Sequence, residues 1–274
     1  MYGKSQTKEH LCSMGISSQK NLGQNFLIDK NIAHKAMHWA EIRRGDKVVE
    51  IGPGLGMLTG ILLEHGAEVY AVELDKTLYT RLQKEFPCDS LHLIHGDGVR
   101  FPLGGLESLN VDAVKVVSNL PYAISSPWME NLLQCSPLPS RMVLLMQMET
   151  AQRFLSSNDP RSRGAIGIRL CSAYGVVSRH RVSPNCFYPI PRVNSMLLCL
   201  GRKDVPFLFS AVTYRHMRSL FQWRRKQLCG IIRRWPDEEV RQKLLQWFIS
   251  LGKTTIRVED ISVTQWQQLQ MYLS

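Results

Sequence analysis

Four residues in this chain are spaced as a binding edge would need them. Gly52, Glu73, Asp97 and Asn119 follow one another at intervals of 21, 24 and 22 residues, and each closes an apolar stretch. Glycine allows a tight bend and lets the backbone approach a ligand closely. A carboxylate can accept both hydroxyls of a ribose, and a carboxamide can hold a polar group from either end. Singly, Glu73 or Asp97 would more often be a helix cap than a ligand. Four in phase imply a shared edge.

The first lies in "EIGPGLGMLTG" (50–60), where Gly52, Gly54 and Gly56 read as a strand-to-helix turn that can press against a ligand. A dinucleotide fingerprint would need Gly or Ala where Met57 stands, which disfavours a nicotinamide dehydrogenase. No Walker-type phosphate loop is present. With Glu73 as a ribose acceptor, these features suit a nucleoside cofactor without a pyrophosphate, such as S-adenosylmethionine. A purely structural turn stays open on the glycines alone.

The last lies in "SNLPYAIS" (118–125), which sets an amide, a rigid kink and an aromatic ring side by side. An exocyclic amine on adenine is a poor nucleophile, because its lone pair is delocalised into the ring. Acceptors fixed off the ring plane favour the pyramidal form that attacks a methyl group. The Asn119 side-chain oxygen and the Leu120 carbonyl are candidates for those acceptors. Pro121 stiffens their presentation through its fixed φ. Tyr122 offers a face for an extruded base, a contact worth roughly 1–3 kcal/mol. Alone, the tetrapeptide would read as a proline turn beside a core tyrosine.

Repeated strand–helix units must position these groups. Helical spacing of Ile32, Ala36, Trp39 and Ala40 predicts a first helix closed by Arg43, Arg44 and Gly45. Strands are expected at 47–52, 68–75, 91–97, 113–119 and 141–147, with helices at 58–65 and 76–86. Ser126 and Pro127 read as the N-cap and first residue of another helix. Stretches 176–183 and 195–201 read as a final antiparallel pair. Such alternation implies an α/β fold, with a mostly parallel sheet that binds ligands at the carboxyl ends of its strands.

Composition is consistent with this. The 274 residues carry a net charge of +11, which favours a polyanionic partner such as nucleic acid, an anionic membrane surface being the alternative that charge alone leaves open. Seven scattered cysteines without a C-x-x-C pair suit a reducing cytoplasm, and neither they nor the histidines have metal-ligand spacing, so no metal is expected. No apolar run is long enough to span a membrane. Residues 1–18 are polar and lack a signal-peptide core, so a mobile extension is expected there. Residues 19–201 would form the catalytic domain and 202–274 a basic helical domain. Between 202 and 234 stand nine Lys or Arg and a single acid, Asp204, with Phe221, Trp223 and Trp235 interleaved. Arg218, Arg224, Arg225 and Lys226 are the candidate RNA contacts; a solvated helix face is the ordinary alternative. Residues 236–274 are expected to complete that domain's core.

From about residue 20 to 235 the sequence resembles the KsgA-type ribosomal RNA adenine N6,N6-dimethyltransferases. The likeness runs through "NLGQNFLID", "VVEIGPGLGMLT", "AVELD", "IHGDG", "VVSNLPYAISSP", "FYPIPRVNS" and "RSLFQWRRKQL". It implies a seven-stranded, Rossmann-like class I methyltransferase sheet with a small α-helical C-terminal domain. It also implies S-adenosylmethionine-dependent dimethylation of two adjacent adenosines near the 3′ end of small-subunit (16S) RNA. By the same likeness Asn25 and Leu27 help bind the cofactor, as do Gly52, Glu73, Asp97 and Asn119, and Phe187 lies beside the target base opposite Tyr122. Departures from the family's usual residues fall at Asn194, Met148 and Ser118, and none removes a methyl-transfer group. The partner expected is an immature small ribosomal subunit, met by a monomer in the cytoplasm. The alternatives are a related enzyme acting on large-subunit RNA and a catalytically idle RNA-binding assembly factor.

Overall fold

The computed structural model describes residues 25–106, 113–155 and 164–273. The expected extension at 1–18 lies outside them. The chain divides into two compact units. One holds the described residues through Ala151 together with Gly175–Arg202; the other holds the described residues of 152–174 and 203–274.

The first unit is built on a seven-stranded sheet. Its strands are β2 (Lys47–Ile51), β3 (Glu68–Glu73), β4 (Leu91–His95), β5 (Val114–Asn119), β6 (Arg141–Gln147), β7 (Tyr174–Val182) and β9 (Ser195–Arg202). They lie in the order β4-β3-β2-β5-β6-β9-β7. The pairs β2–β3, β2–β5, β3–β4 and β5–β6 are parallel, and β9 runs antiparallel to β6. The central strands read as unbroken apolar runs because helices cover both faces. Val48, Val49, Val116, Val117, Val143 and Leu144 are essentially inaccessible to solvent. The order reverses between β2 and β5, a topological switch point at which open sheets leave a crevice.

Helices α1 (Lys30–Ala40), α2 (Met57–Glu64), α3 (Lys76–Glu85) and α4 (Ser125–Leu132) flank the sheet. Asp29 caps α1 by accepting from the Asn31 and Ile32 N–H groups, at 2.8 and 3.3 Å. That cap satisfies donors the helix itself cannot, an effect worth about 1 kcal/mol. The helix ends at Ala40, with Glu41 in the left-handed region (φ 50°). The expected stop at Arg43–Gly45 is therefore displaced, since Glu41 already sends its N–H back to His38 and Met37. The helix after β5 also starts earlier than Ser126 and Pro127 imply. A short 3₁₀ turn, Tyr122–Ile124, runs into Ser125, and Pro127 falls inside the first turn, where its missing N–H leaves no bond unmade.

A second sheet of two strands pairs β1 (Phe26–Leu27) with β8 (Phe187–Tyr188), antiparallel, with Phe26 opposite Tyr188 and Leu27 opposite Phe187. Helix α5 (Met148–Leu155) follows β6.

The second unit contains α6 (Ala165–Ala173), α7 (Ala211–Phe221), α8 (Leu228–Ile232), α9 (Glu238–Ser250) and α10 (Val263–Leu273). Its core joins Ala165 and Ile168 to Met217, Leu220, Leu228, Leu244, Trp247, Trp266 and Leu269. Ala165 and Ile168, expected within 19–201, thus pack with the C-terminal residues. Trp247 and Trp266 meet at 5.3 Å between centroids, and Phe221 stacks on Trp266 at 5.3 Å. Phe221 is therefore core, whereas Trp223, two residues on, is 55% exposed.

Candidate active site at the carboxyl edge of the sheet

The turn after β2 binds three parts of the chain together. Gly52 has φ 67°, and a Cβ there would stand 2.8 Å from the Pro121 ring. Gly54 has φ 59°, and a Cβ there would stand 3.0 Å from the Phe26 ring. Any side chain at either position would be strained and would push the turn off its neighbours. The Gly54 N–H donates to Glu73 Oε2 at 3.1 Å, and the Asp75 N–H donates to Oε1 at 2.9 Å. Glu73 is 4% exposed. Burial pushes its carboxyl up, and the two N–H groups oppose that. A carboxylate oxygen accepts more than one hydrogen bond, so the edge keeps capacity for hydroxyl donors.

Asn119 ends β5. Its Nδ2 donates to the Asn25 carbonyl at 2.8 Å. A carbonyl only accepts, so this contact fixes which end of the amide faces it. The remaining Oδ1 accepts no hydrogen bond from the described residues. Leu120 donates its N–H to the Leu145 carbonyl at 2.9 Å, which extends the ladder by one residue. Its own carbonyl likewise accepts nothing from the described residues. Pro121 has φ −54° and ψ 128° and opens the 3₁₀ turn. The Tyr122 hydroxyl shares a 2.6 Å hydrogen bond with the Oγ of Ser195, a fully buried residue. That bond holds the half-buried ring in place, and burial raises the phenol.

One cleft gathers Asn25, Leu27, Gly52, Gly54, Glu73 and Asn119, together with Leu120, Pro121 and Tyr122. Asp97 is not in its lining. Its Oδ1 accepts from the Val99 N–H at 2.8 Å and its carbonyl from Arg100, which makes it the cap of the turn after β4. Phe187 is not brought to the cleft either. It pairs with Leu27, and its ring is wholly buried among Leu27, Ile32 and Leu197. Adjacent side chains on a strand face opposite ways, and Tyr188 instead packs with Phe26, Leu78 and Leu55. Phe187, which the likeness sets beside the target base, stands here in the core cluster and outside the cleft lining.

Residues that sequence reasoning passed over also line the cleft. Phe26, Pro53, Leu55 and Met57 form apolar walls. Glu50 is 1% exposed, takes a 2.6 Å hydrogen bond from Thr59 Oγ1 and has its carboxyl pushed to about 8, chiefly by burial. A lone acid inside the apolar "KVVEIG" was the available signal. The Asn25 carbonyl had none, being a backbone group.

The candidate RNA contacts Arg218, Arg224, Arg225 and Lys226 belong to the second unit, at the end of α7 and in the turn that follows. All four are exposed. No carboxylate pairs with Arg224, Arg225 or Lys226 among the described residues.

Comparison with known proteins adds the family. The profile described as ribosomal RNA adenine dimethylase matches residues 15–274. A protein of Opitutus terrae named ribosomal RNA small subunit methyltransferase A is 46% identical over 270 residues, covering 97% of this chain and 96% of that one. A protein of the same name from Clostridium botulinum is 35% identical over 226 residues, covering 81% and 82%. Among solved structures, a dimethyladenosine transferase of Plasmodium falciparum matches with a TM-score of 0.73 at 24% identity, over 90% of this chain and 96% of that one. The 23S rRNA methyltransferase ErmE matches with a TM-score of 0.60 at 21% identity, over 91% and 99%. At those identities the two structures speak for the fold.

Proposed function

The chain belongs to the ribosomal RNA adenine dimethylase family, and from that premise we propose that it dimethylates N6 of two adjacent adenosines near the 3′ end of small-subunit (16S) ribosomal RNA. The methyl donor is S-adenosylmethionine, and the reaction belongs to subunit maturation in the cytoplasm. The observation that carries this reading is Asn119: its nitrogen is tied to the Asn25 carbonyl and its oxygen is left as an acceptor. With the Leu120 carbonyl, that oxygen draws on the amine hydrogens and localises the lone pair. Tyr122, braced by Ser195, stacks the base.

The cleft's residues fit the cofactor. Gly52 and Gly54 leave room that a side chain would fill, Glu73 takes the ribose diol, and Asn25 and Leu27 complete the cradle. When bound, the cofactor supplies a methyl group on a sulfonium, an electrophile strong enough that no general base of unusual strength is required. Catalysis then rests on positioning and on fixed dipoles.

Incubation with labelled S-adenosylmethionine and immature subunits of each kind tests the reading. N6,N6-dimethyladenosine should form in small-subunit RNA alone. Label in large-subunit RNA would transfer the protein to the related activity, and label in neither would leave a binding factor.

RNA binding in the second unit has its own signature. Neutralising Arg224, Arg225 and Lys226 together should reduce the slope of log K against log salt by about two to three, at roughly 0.7–0.9 per lost phosphate contact. Cofactor affinity should not change. An unchanged slope would reduce the cluster to a solubilising surface.

A further inference from the structure

The second unit carries a groove that methyl transfer does not explain and that shares only Lys226 with the basic cluster. It encloses about 640 Å³ and is lined by Trp223, Lys226, Gly230, Ile231, Arg234 and Trp235. That volume lies within the ~300–1,000 Å³ range of sites that seat small molecules. Its chemistry is selective. Two indoles and two cations share the lining, and no acid does. Neither Lys226 nor Arg234 has an ion-pair partner among the described residues. Trp223 is 55% exposed, yet its backbone is held by bonds to the Leu220 carbonyl and from the Lys226 N–H, at 3.0 and 2.7 Å. The His216 ring stands 5.7 Å from that of Trp235 and backs it from α7.

An apolar peptide would satisfy the indoles and leave the cations unmatched. An acidic peptide would do the reverse. A paired RNA segment offers phosphates, but its base faces are already stacked. An unpaired nucleotide presents one anion and one free π-face together, and stacking on an aromatic side chain tolerates any base. We infer that this groove seats an unpaired nucleotide of the RNA substrate, its base on an indole and its phosphate against Lys226 and Arg234. The inference rests on the function proposed above and adds a second point of substrate recognition, remote in sequence from the methyl-transfer residues. Gln222 and Gln227, also in the lining, supply amides that can bond a base edge.

Two variants of the full chain test it. Trp223→Ala removes a largely exposed ring. Gly230→Leu plugs the groove: a Cβ at Gly230 meets nothing within 4 Å, and its φ is ordinary. The probes are a labelled single-stranded oligoadenylate and a blunt RNA duplex with as many phosphates. Each variant should bind the single strand about tenfold more weakly, as the loss of one base stack implies. Duplex binding should change less than twofold, and S-adenosylmethionine affinity should be unaltered. Unchanged affinity for both probes overturns the inference. So does an equal loss on both, which would make the groove a charged surface only. Weakened association with the small subunit at unaltered RNA affinity would put a ribosomal protein there instead, and also overturns it. Failure of the functional reading is visible separately, as wild-type protein that places no label in small-subunit RNA.

Discussion

Asn119→Ala should lower the single-turnover rate of methyl transfer about a hundredfold, the loss typical of removing one preorganised polar group from a transition state. The amine must localise its lone pair to attack, so the acceptor gains strength as the reaction proceeds and acts more on kcat than on KM. The rate should not fall to zero, because the Leu120 carbonyl is main chain and survives the substitution. Cofactor affinity should fall by a smaller factor, since Asn119 lines the same cleft as Gly52 and Glu73. Asn119→Asp separates orientation from mere polarity. It would set a carboxylate oxygen against the Asn25 carbonyl, which can only accept, and so should transfer as poorly as the alanine variant. Wild-type turnover in a folded Asn119→Ala protein would remove the residue from amine positioning.

The sheet was legible because it repeats. Strand–helix units of similar length put Gly52, Glu73 and Asn119 at one edge, and the structure brings these three into one cleft. Asp97 kept the phase but caps its own turn, since it lies two positions past the end of β4 at His95, which gives the chain room to fold back. What could not be read is what depends on distance along the chain. Phe26–Leu27 becomes a strand only by pairing with residues about 160 positions later, and two residues carry no periodicity. That short pairing buries Phe187 with Leu27. It also brings the Asn25 carbonyl to Asn119, so the most informative contact in the cleft involves a backbone atom without any sequence signature. Helix α6, mostly apolar in "AIGIRLCSA" and without a single apolar stripe, could have joined either core. The interleaved aromatics divided for a local reason: Phe221 and Trp223 lie two apart, so one faces the core and the other the solvent.

Glu50 should add a pH-dependent contribution to the stability of the unliganded protein. Its folded pKa is about 8 against an ordinary 4.5, raised by burial, lowered in part by the Thr59 hydroxyl and raised again by the nearby Glu73 carboxylate. A raised folded value means that the native state holds a proton the unfolded chain gives up. The associated stability is fully present below about pH 4.5 and is lost as the pH rises through about 8. Over that window the decline should amount to a few kcal/mol, since each pH unit between the folded and unfolded values corresponds to about 1.36 kcal/mol. Glu50→Gln keeps the shape and an acceptor for Thr59 but cannot ionise. Relative to wild type the variant should be near neutral at pH 4.5 and stabilised at pH 8, with a melting temperature higher by roughly 5–10 °C. Comparing the two proteins at each pH cancels the histidines and the other shared groups that do not interact with Glu50; Glu73 alone among the causes of its shift is a second carboxylate. A difference that stayed constant from pH 4.5 to 8 would mean that Glu50 ionises as it does in water, which a carboxyl 1% exposed and bonded to a single hydroxyl should not do.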